Sequence, residues 1–357
     1  MADIFSPVTL GDIALANRIV MAPMTRDRAG PGDVPTDIMV DYYRQRASAG
    51  LIITEGTQPS PTGKGYWRTP GIHSDAQVAG WRKVADAVHG AGGRIVMQLM
   101  HVGRAAVQAN KDAGADTVAP SAIPSAGKIP GPDGVPVDTV MPRALAASEI
   151  PDIIAEYVAA ARNAIRAGMD GVELHCASGY LPMQFLSSNS NRRTDLYGGS
   201  VENRIRFVVE TLSALAAAIG PGRVGLRICP GVKFNGMDDA DPHATYATLL
   251  RAINGLGLAY CHLIHIPLDG QDALDLVRQN WSGAIIENSG LTFDTAKAVL
   301  AEGQAAAVSF GYLYIANPDL VERFRTGAAL ARGNRANFYT GEGDDRKGYT
   351  DYPMLDA

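Results

Sequence analysis

DAQVAGWRKVADAVHGAGGRIVMQ, residues Asp75 to Gln98, carries two periods in one stretch. Val78, Trp81, Val84, Ala85 and Val88 fall on one face of a helix with 3.6 residues per turn, the spacing of an amphipathic helix that packs on a core. Gly90-Ala91-Gly92-Gly93 breaks that period, and Arg94–Gln98 continues as a short β-branched run bounded by glycine, the pattern of a buried strand. Runs of the second kind recur at Ile19–Ala22, Leu51–Thr54, Gly171–His175, Val224–Ile228, Tyr260–His265, Gly283–Ile286 and Ala307–Phe310. Helical stretches separate most of them, the clearest after Asp75–His89 being Pro151–Ala167, Val201–Ile219, Ala244–Leu256, Phe293–Glu302 and Pro318–Arg325.

Eight strand-then-helix units predict an α/β fold of the (β/α)₈ barrel type. A doubly wound sheet would open on a glycine-rich turn after its first strand. No GxGxxG follows any strand, and Gly90-Ala91-Gly92-Gly93 precedes one and lacks the last glycine. A length of 357 residues allows two domains, but barrels of this kind hold 250 residues or more in one unit, so one domain over 1–357 is expected. The Pro/Gly-rich stretch 120–142 (Pro120–Pro142) reads as an insertion after the third strand, long enough for a lid or cap, and the residues before Ile19 as a closure of the barrel bottom.

Composition excludes several classes. Hydrophobic residues make up 46% and charged ones 19%, which rules out intrinsic disorder. The net charge of −5, without long runs of either sign, argues against a nucleic-acid surface. The first residues lack a basic region followed by an apolar one, and no segment approaches the roughly 18 apolar residues that span a bilayer, so a cytoplasmic location away from membranes is expected. Cys176, Cys229 and Cys261 are too few and too scattered for a disulfide framework, and Cys229, Cys261 and His265 lack compact spacing for a metal, so no metal is expected. Walker A, GxSxG and HExxH patterns are absent. No feature of the sequence sets an oligomeric state.

In a barrel the reactive groups come from the C-terminal ends of the strands. Those ends hold Thr25, Gly56 and Thr57, Gln98 and His101, His175, Ser178 and Tyr180, Arg227, His265, Asn288 to Gly290, and Gly311. Backbone N–H groups after strands seven and eight, in Asn288-Ser289-Gly290 and Ser309-Phe310-Gly311, suit a phosphate, although loops use glycine for turn geometry whatever they bind. His175-Cys176-Ala177-Ser178-Gly179-Tyr180 places an imidazole, a hydroxyl and a phenol within six residues; taken alone, a satisfied histidine and a packing aromatic explain it as well.

The segment from Gln184 to Arg204, read with His175–Tyr180, resembles the most distinctive motif of the old yellow enzyme family of flavin-dependent ene-reductases. Further pieces agree in order: Met21-Ala22-Pro23-Met24-Thr25-Arg26, Thr54-Glu55-Gly56, Thr69-Pro70-Gly71-Ile72, Gln98-Leu99-Met100-His101-Val102-Gly103-Arg104, Ile315-Ala316-Asn317-Pro318-Asp319-Leu320 and Gly348-Tyr349-Thr350-Asp351-Tyr352-Pro353. The resemblance covers nearly the whole chain. It implies non-covalent FMN, NAD(P)H as co-substrate, and a small activated alkene (an enone, nitroalkene or maleimide) as the molecule reduced. Residue by residue, it implies Thr25 near the flavin O4, Gln98 at the pyrimidine edge and Arg227 near N1 and O2. Pro23, Met24 and Gly56 lie in the same motifs on the cofactor side, and Ser289, Gly290, Gly311 and Tyr312 form the phosphate end. His175 matches the donor to the substrate's electron-withdrawing group, Tyr180 the proton donor and Tyr339 an aromatic of the substrate pocket.

Three positions depart from the family pattern. Ser178 stands where a second donor, Asn or His, is usual; Tyr312 where an arginine meets the phosphate; Met100 where a tryptophan is common. These departures leave two expectations: an ene-reductase with altered substrate preference, or a family-derived protein with weak or no FMN binding that performs isomerisation or cyclisation, or only binds a ligand.

Overall fold

The computed structural model describes residues 2–268, 270–339 and 343–355. Eight parallel strands close into a barrel: Ile19–Met21, Leu51–Ile53, Ile95–Leu99, Gly171–Cys176, Val224–Ile228, Tyr260–Ile264, Ile285–Asn288 and Ala307–Phe310. The eighth returns to the first through Val308↔Ile19, Ser309↔Val20 and Phe310↔Met21. Each strand lies within two residues of its expected bounds. The Asp75–Gly90 helix begins at a capping box, in which Ser74 accepts from the Gln77 N–H and the Gln77 side chain reaches back. Val78, Trp81, Val84, Ala85 and Val88 are all buried.

Two outer helices, Asp37–Gln45 and Ala273–Asn280, were not among those expected. The Ala244–Leu256 stretch is a helix over Pro242–Ile253 followed by a 3₁₀ turn, Asn254–Leu256, and the expected Pro318–Arg325 helix runs over Leu320–Thr326.

Alternation along the strands sorts the barrel interior by height. Val20, Leu51, Ile53, Val96, Tyr260, Ile286 and Ala307 form an apolar cluster at the N-terminal end. The antiparallel hairpin Val8–Leu10/Ile13–Leu15 packs Leu10, Ile13 and Leu15 into the same cluster and closes the bottom. At its tip Gly11 has φ 57°, and a Cβ there would run into the backbone of Gly222 and Ala259. Two residues higher on the same inward faces stand Gln98, Glu173, Arg227, His262, Asn288 and Ser309. The alternate positions, such as Met97, Leu174, Leu226 and Val308, face the outer helices and belong to the main core.

The insertion after the third strand is fenced by a parallel pairing of Val118–Ala119 with Arg143–Ala144. Inside it the hairpin Lys128–Pro130/Pro136–Asp138 stands over the C-terminal face of the barrel. Asn110 Nδ2 ties it down, donating to Pro130 O at 2.9 Å and to Gly65 O at 3.1 Å. On the opposite side three buried arginines hold the C-terminal segment by its carbonyls: Arg26 reaches Phe338 O and Gly348 O, Arg28 reaches Asn337 O, and Arg46 reaches Tyr349 O.

Candidate active site

A cavity of about 380 Å³ lies among the strand ends at the C-terminal face. The loop after the first strand supplies Pro23, Met24 and Thr25, the third strand and its extension Gln98 and Met100, and the fourth His175, Ser178 and Tyr180; Tyr312 and Tyr339 come from beyond the eighth. All of these were expected at the site. Arg227, Gly56, Ser289, Gly290 and Gly311 do not line this cavity. Gly56 lies behind Met100, and a side chain there would collide with the methionine sulfur. Ser289 Oγ donates to Glu287 Oε1 at 3.0 Å, Gly290 turns through φ 68°, and Gly311 packs against Met24. Tyr312 turns its hydroxyl away to donate to Gly333 O at 2.9 Å.

Below the cavity a chain of hydrogen bonds crosses the barrel interior. Gln98 Nε2 donates to Glu173 Oε1 at 2.8 Å, His262 Nδ1 donates to Glu173 Oε2 at 2.8 Å, and Ser309 Oγ donates to His262 Nε2 at 2.8 Å. Asn288 Nδ2 donates to Ser309 O at 3.0 Å, and Arg227 Nη2 donates to Asn288 Oδ1 at 3.1 Å. Burial opposes the ionised form of Glu173, but His262, Arg227 and Gln98 outweigh it and hold the carboxyl below its ordinary range. Burial, reinforced by Arg227, pushes His262 down to about 4, so at neutral pH a neutral imidazole bridges carboxylate and hydroxyl. With Nε2 of Gln98 committed to Glu173, its amide oxygen is left for the cavity.

Two buried nitrogens beside the cavity have no hydrogen-bond partner among the described residues: Arg227 Nη1 and His175 Nδ1. An unpaired buried polar group costs about 1–3 kcal/mol, more for a charged one, so an incoming group with acceptor atoms is strongly favoured there. Burial and the charge of Arg227 push His175 well below the usual histidine range, which keeps it neutral with one N–H to donate. Burial pushes the Tyr180 phenol up, so it keeps its proton at neutral pH. Its O–H donates to Tyr66 Oη at 3.1 Å, and its ring meets His175 edge-on with centroids 4.9 Å apart. Ser178 sits at φ 55°, a left-handed conformation that β-carbon-bearing residues adopt at a cost, with its carbonyl held by Asn235 Nδ2 at 2.9 Å.

The strand-end reading passed over several contributors. Tyr66 and Phe338 come from long loops remote from any strand end, and Phe234 from farther along the loop that follows the fifth strand. Glu173 and His262 sit two positions before His175 and one after Cys261 in strands that otherwise read as apolar. A charged or imidazole side chain on the inward register of such a strand was the available signal. A flavin fits these donors: Thr25 and Gln98 offer polar contacts along one edge, and Arg227 Nη1 supplies a free cationic N–H.

Residues 3–331 match the model of a family described as the NADH:flavin oxidoreductase / NADH oxidase family. A probable flavin mononucleotide-dependent alkene reductase of Leishmania infantum is 43% identical over 98% of this chain and 96% of its own length. 12-oxophytodienoate reductase 1 of Oryza sativa subsp. japonica is 41% identical over 99% of this chain and 93% of its own length. Among solved structures, morphinone reductase in complex with tetrahydroNAD superposes with a TM-score of 0.93 at 46% identity, covering 100% of this chain and 98% of the other. The old yellow enzyme homologue from Zymomonas mobilis superposes with a TM-score of 0.94 at 40% identity, covering 99% and 100%.

Proposed function

The chain belongs to the NADH:flavin oxidoreductase / NADH oxidase family, and from that premise we propose how its residues divide the work of an FMN-dependent alkene reductase driven by NAD(P)H. When bound, FMN would supply the redox chemistry of hydride transfer between nicotinamide and alkene. Thr25 and the Gln98 amide oxygen hold its polar edge. Arg227 would hold the cofactor's electron-rich edge through the Nη1 that has no partner among the described residues, and the loops with Ser289, Gly290, Gly311 and Tyr312 would hold the phosphate. Pro23 and Met24 pack beside it, and Gly56 sets the position of Met100.

On the substrate side, neutral His175 donates to the carbonyl or nitro oxygen and strengthens that bond as negative charge develops. Tyr180 delivers its proton to the α-carbon. Ser178 adds a short hydroxyl, direct or through water. Met100 and Tyr339 shape the walls, and the whole chain works as one unit capped by residues 120–142. The observation that carries this assignment is the pair of unpartnered buried nitrogens, Arg227 Nη1 and His175 Nδ1, on neighbouring strands paired at His175↔Arg227, next to a Gln98 amide whose orientation Glu173 fixes. A redox-neutral protein without flavin would leave Arg227 buried with that donor unpaired, which disfavours the alternative.

The test is spectroscopic. Protein incubated with FMN and desalted should retain about one flavin per chain, bleach under anaerobic NADH or NADPH, and recover its absorbance on adding an activated alkene. Loss of the flavin on desalting, with no binding at high micromolar FMN, overturns the assignment.

A further inference from the structure

Outside the inner cavity lies a second chamber of about 570 Å³, joined to it through the shared residues Thr25, Tyr180, Phe234 and Tyr339. Five aromatic side chains wall it: Tyr66, Trp67, Tyr180, Phe234 and Tyr339. Two carboxyl groups line it, Asp27 after the first strand and Asp133 in the turn of the cap hairpin, and among the described residues no lysine or arginine does.

Asp27 is the anomaly. Its Oδ1 is buried without a hydrogen-bond partner among the described residues, and its backbone is left-handed at φ 56°. Three arginines flank it in sequence or space, yet each is committed elsewhere. Arg26 donates to Phe338 O, Tyr42 Oη and Gly348 O, Arg28 donates to backbone carbonyls including Asn337 O, and Arg68 grips the Asp345 carboxylate with both terminal nitrogens. A carboxyl left unpaired while its neighbouring arginines are engaged elsewhere, facing an aromatic chamber, is a binding group without its ligand. Asp133 spends Oδ1 on the Val135 N–H, which leaves its second oxygen.

The complement of five ring faces and two carboxyls is a cation: each ring attracts one through its quadrupole, and the carboxyl oxygen gives it a charge-assisted hydrogen bond. A neutral hydroxyl would use the oxygen and waste the rings, and an anion would meet two like charges. We propose that the outer chamber is a subsite for a positively charged nitrogen, so that the preferred alkenes are amines that place their C=C by His175 and Tyr180 and their ammonium at Asp27. This rests on the alkene-reductase reading of the inner cavity. Burial and then Glu55 raise the Asp27 proton affinity well above the ordinary carboxyl range against Arg28, Arg68 and Arg26, and its field reaches the Tyr66 and Tyr180 phenols. A bound ammonium reverses that shift, so its capture releases a proton.

Three phenols of one ring size separate the outcomes: 4-ethylphenol, tyramine and 3-(4-hydroxyphenyl)propanoate, titrated into the FMN-loaded protein and followed by flavin absorbance. Tyramine should bind about 10- to 100-fold more tightly than 4-ethylphenol, and the propanoate more weakly than either. Asp27→Asn, which suits the left-handed backbone, should carry the tyramine-to-ethylphenol ratio toward one, and Asp133→Asn, on an exposed turn, should lower it part of the way. Equal binding of the three phenols, or a ratio unmoved by Asp27→Asn, overturns the subsite and leaves the reductase reading standing. A flavin spectrum that none of the phenols perturbs removes the inner-cavity reading, and the subsite with it.

Discussion

Ser178 shows how one side chain couples backbone and chemistry. Its left-handed φ of 55° is a conformation that asparagine tolerates better than serine, and its hydroxyl stands where a longer donor would reach the substrate. Ser178→Asn should therefore raise thermal stability slightly, by up to about 0.5 kcal/mol, while raising turnover of simple cyclic enones by up to about 10²-fold. Nitroalkenes, which stabilise their own developing charge, should gain little. Stopped-flow reoxidation of the reduced protein by cyclohexenone and by a nitroalkene, with a melting curve, checks both halves, and an unchanged enone rate would mean that the serine or a water already serves. Tyr180→Phe should slow alkene reduction by about 10²-fold or more and leave reduction by NAD(P)H nearly untouched, because the phenol's proton enters only after hydride transfer; equal losses in the two half-reactions would remove Tyr180 from the role. His175, Tyr180, Gln98 and Thr25 were legible in the sequence because barrel geometry obliges strand ends to face the cavity. Asp27 and Tyr66 were not, since what singles them out is a vacant hydrogen bond and a 3.1 Å contact between phenols 114 residues apart.

At the scale of elements, the insertion after the third strand shapes the site more than its composition suggested. A Pro/Gly-rich stretch announces a loop, and its turn chemistry says little about where the loop goes; the Lys128–Pro130/Pro136–Asp138 hairpin and its place over the barrel depend on contacts with distant loops. Ile129 shares a buried cluster with Met100 and Tyr180, so the cap packs on the proposed proton donor and on one of the three departures from the family pattern. Asn110 is the tie, and Asn110→Ala removes both of its bonds. The expected result is a loss of roughly 1–3 kcal/mol in stability and a raised KM for alkenes long enough to touch the cap, with FMN affinity unchanged. Urea unfolding, flavin titration and steady-state kinetics separate those effects; a weakened flavin would show that the cap supports the inner cavity too. The strands and long helices were legible because their periods are local, whereas the helices Asp37–Gln45 and Ala273–Asn280 draw their stability from packing that only the closed barrel provides.

Over the whole molecule, buried ionisable groups set the response to acid. Burial pushes His101 down to about 3 and His262 down to about 4, against about 6.5 in an unfolded chain. Their contribution is complete above pH 6.5 and is lost as pH falls through that window, by roughly 2 kcal/mol per histidine at pH 5. Glu55 runs the other way: raised to about 7 by burial, it favours the folded state as pH falls from 7 toward 4.5. The clean measurement is a difference, in which His101→Gln should lose about 2 kcal/mol less than the parent between pH 7.5 and pH 5 by urea unfolding; parallel curves would refute the buried neutral imidazole. The grip of Arg26, Arg28 and Arg46 on the C-terminal segment bears on how the protein is made. Barrel closure waits for Phe310 to reach Met21, and the wall carrying Phe338 and Tyr339 is translated later still, fastened to arginines that emerged some three hundred residues earlier. A chain still on the ribosome thus has most of its barrel and no finished pocket, which makes flavin capture one of the last events of its biosynthesis.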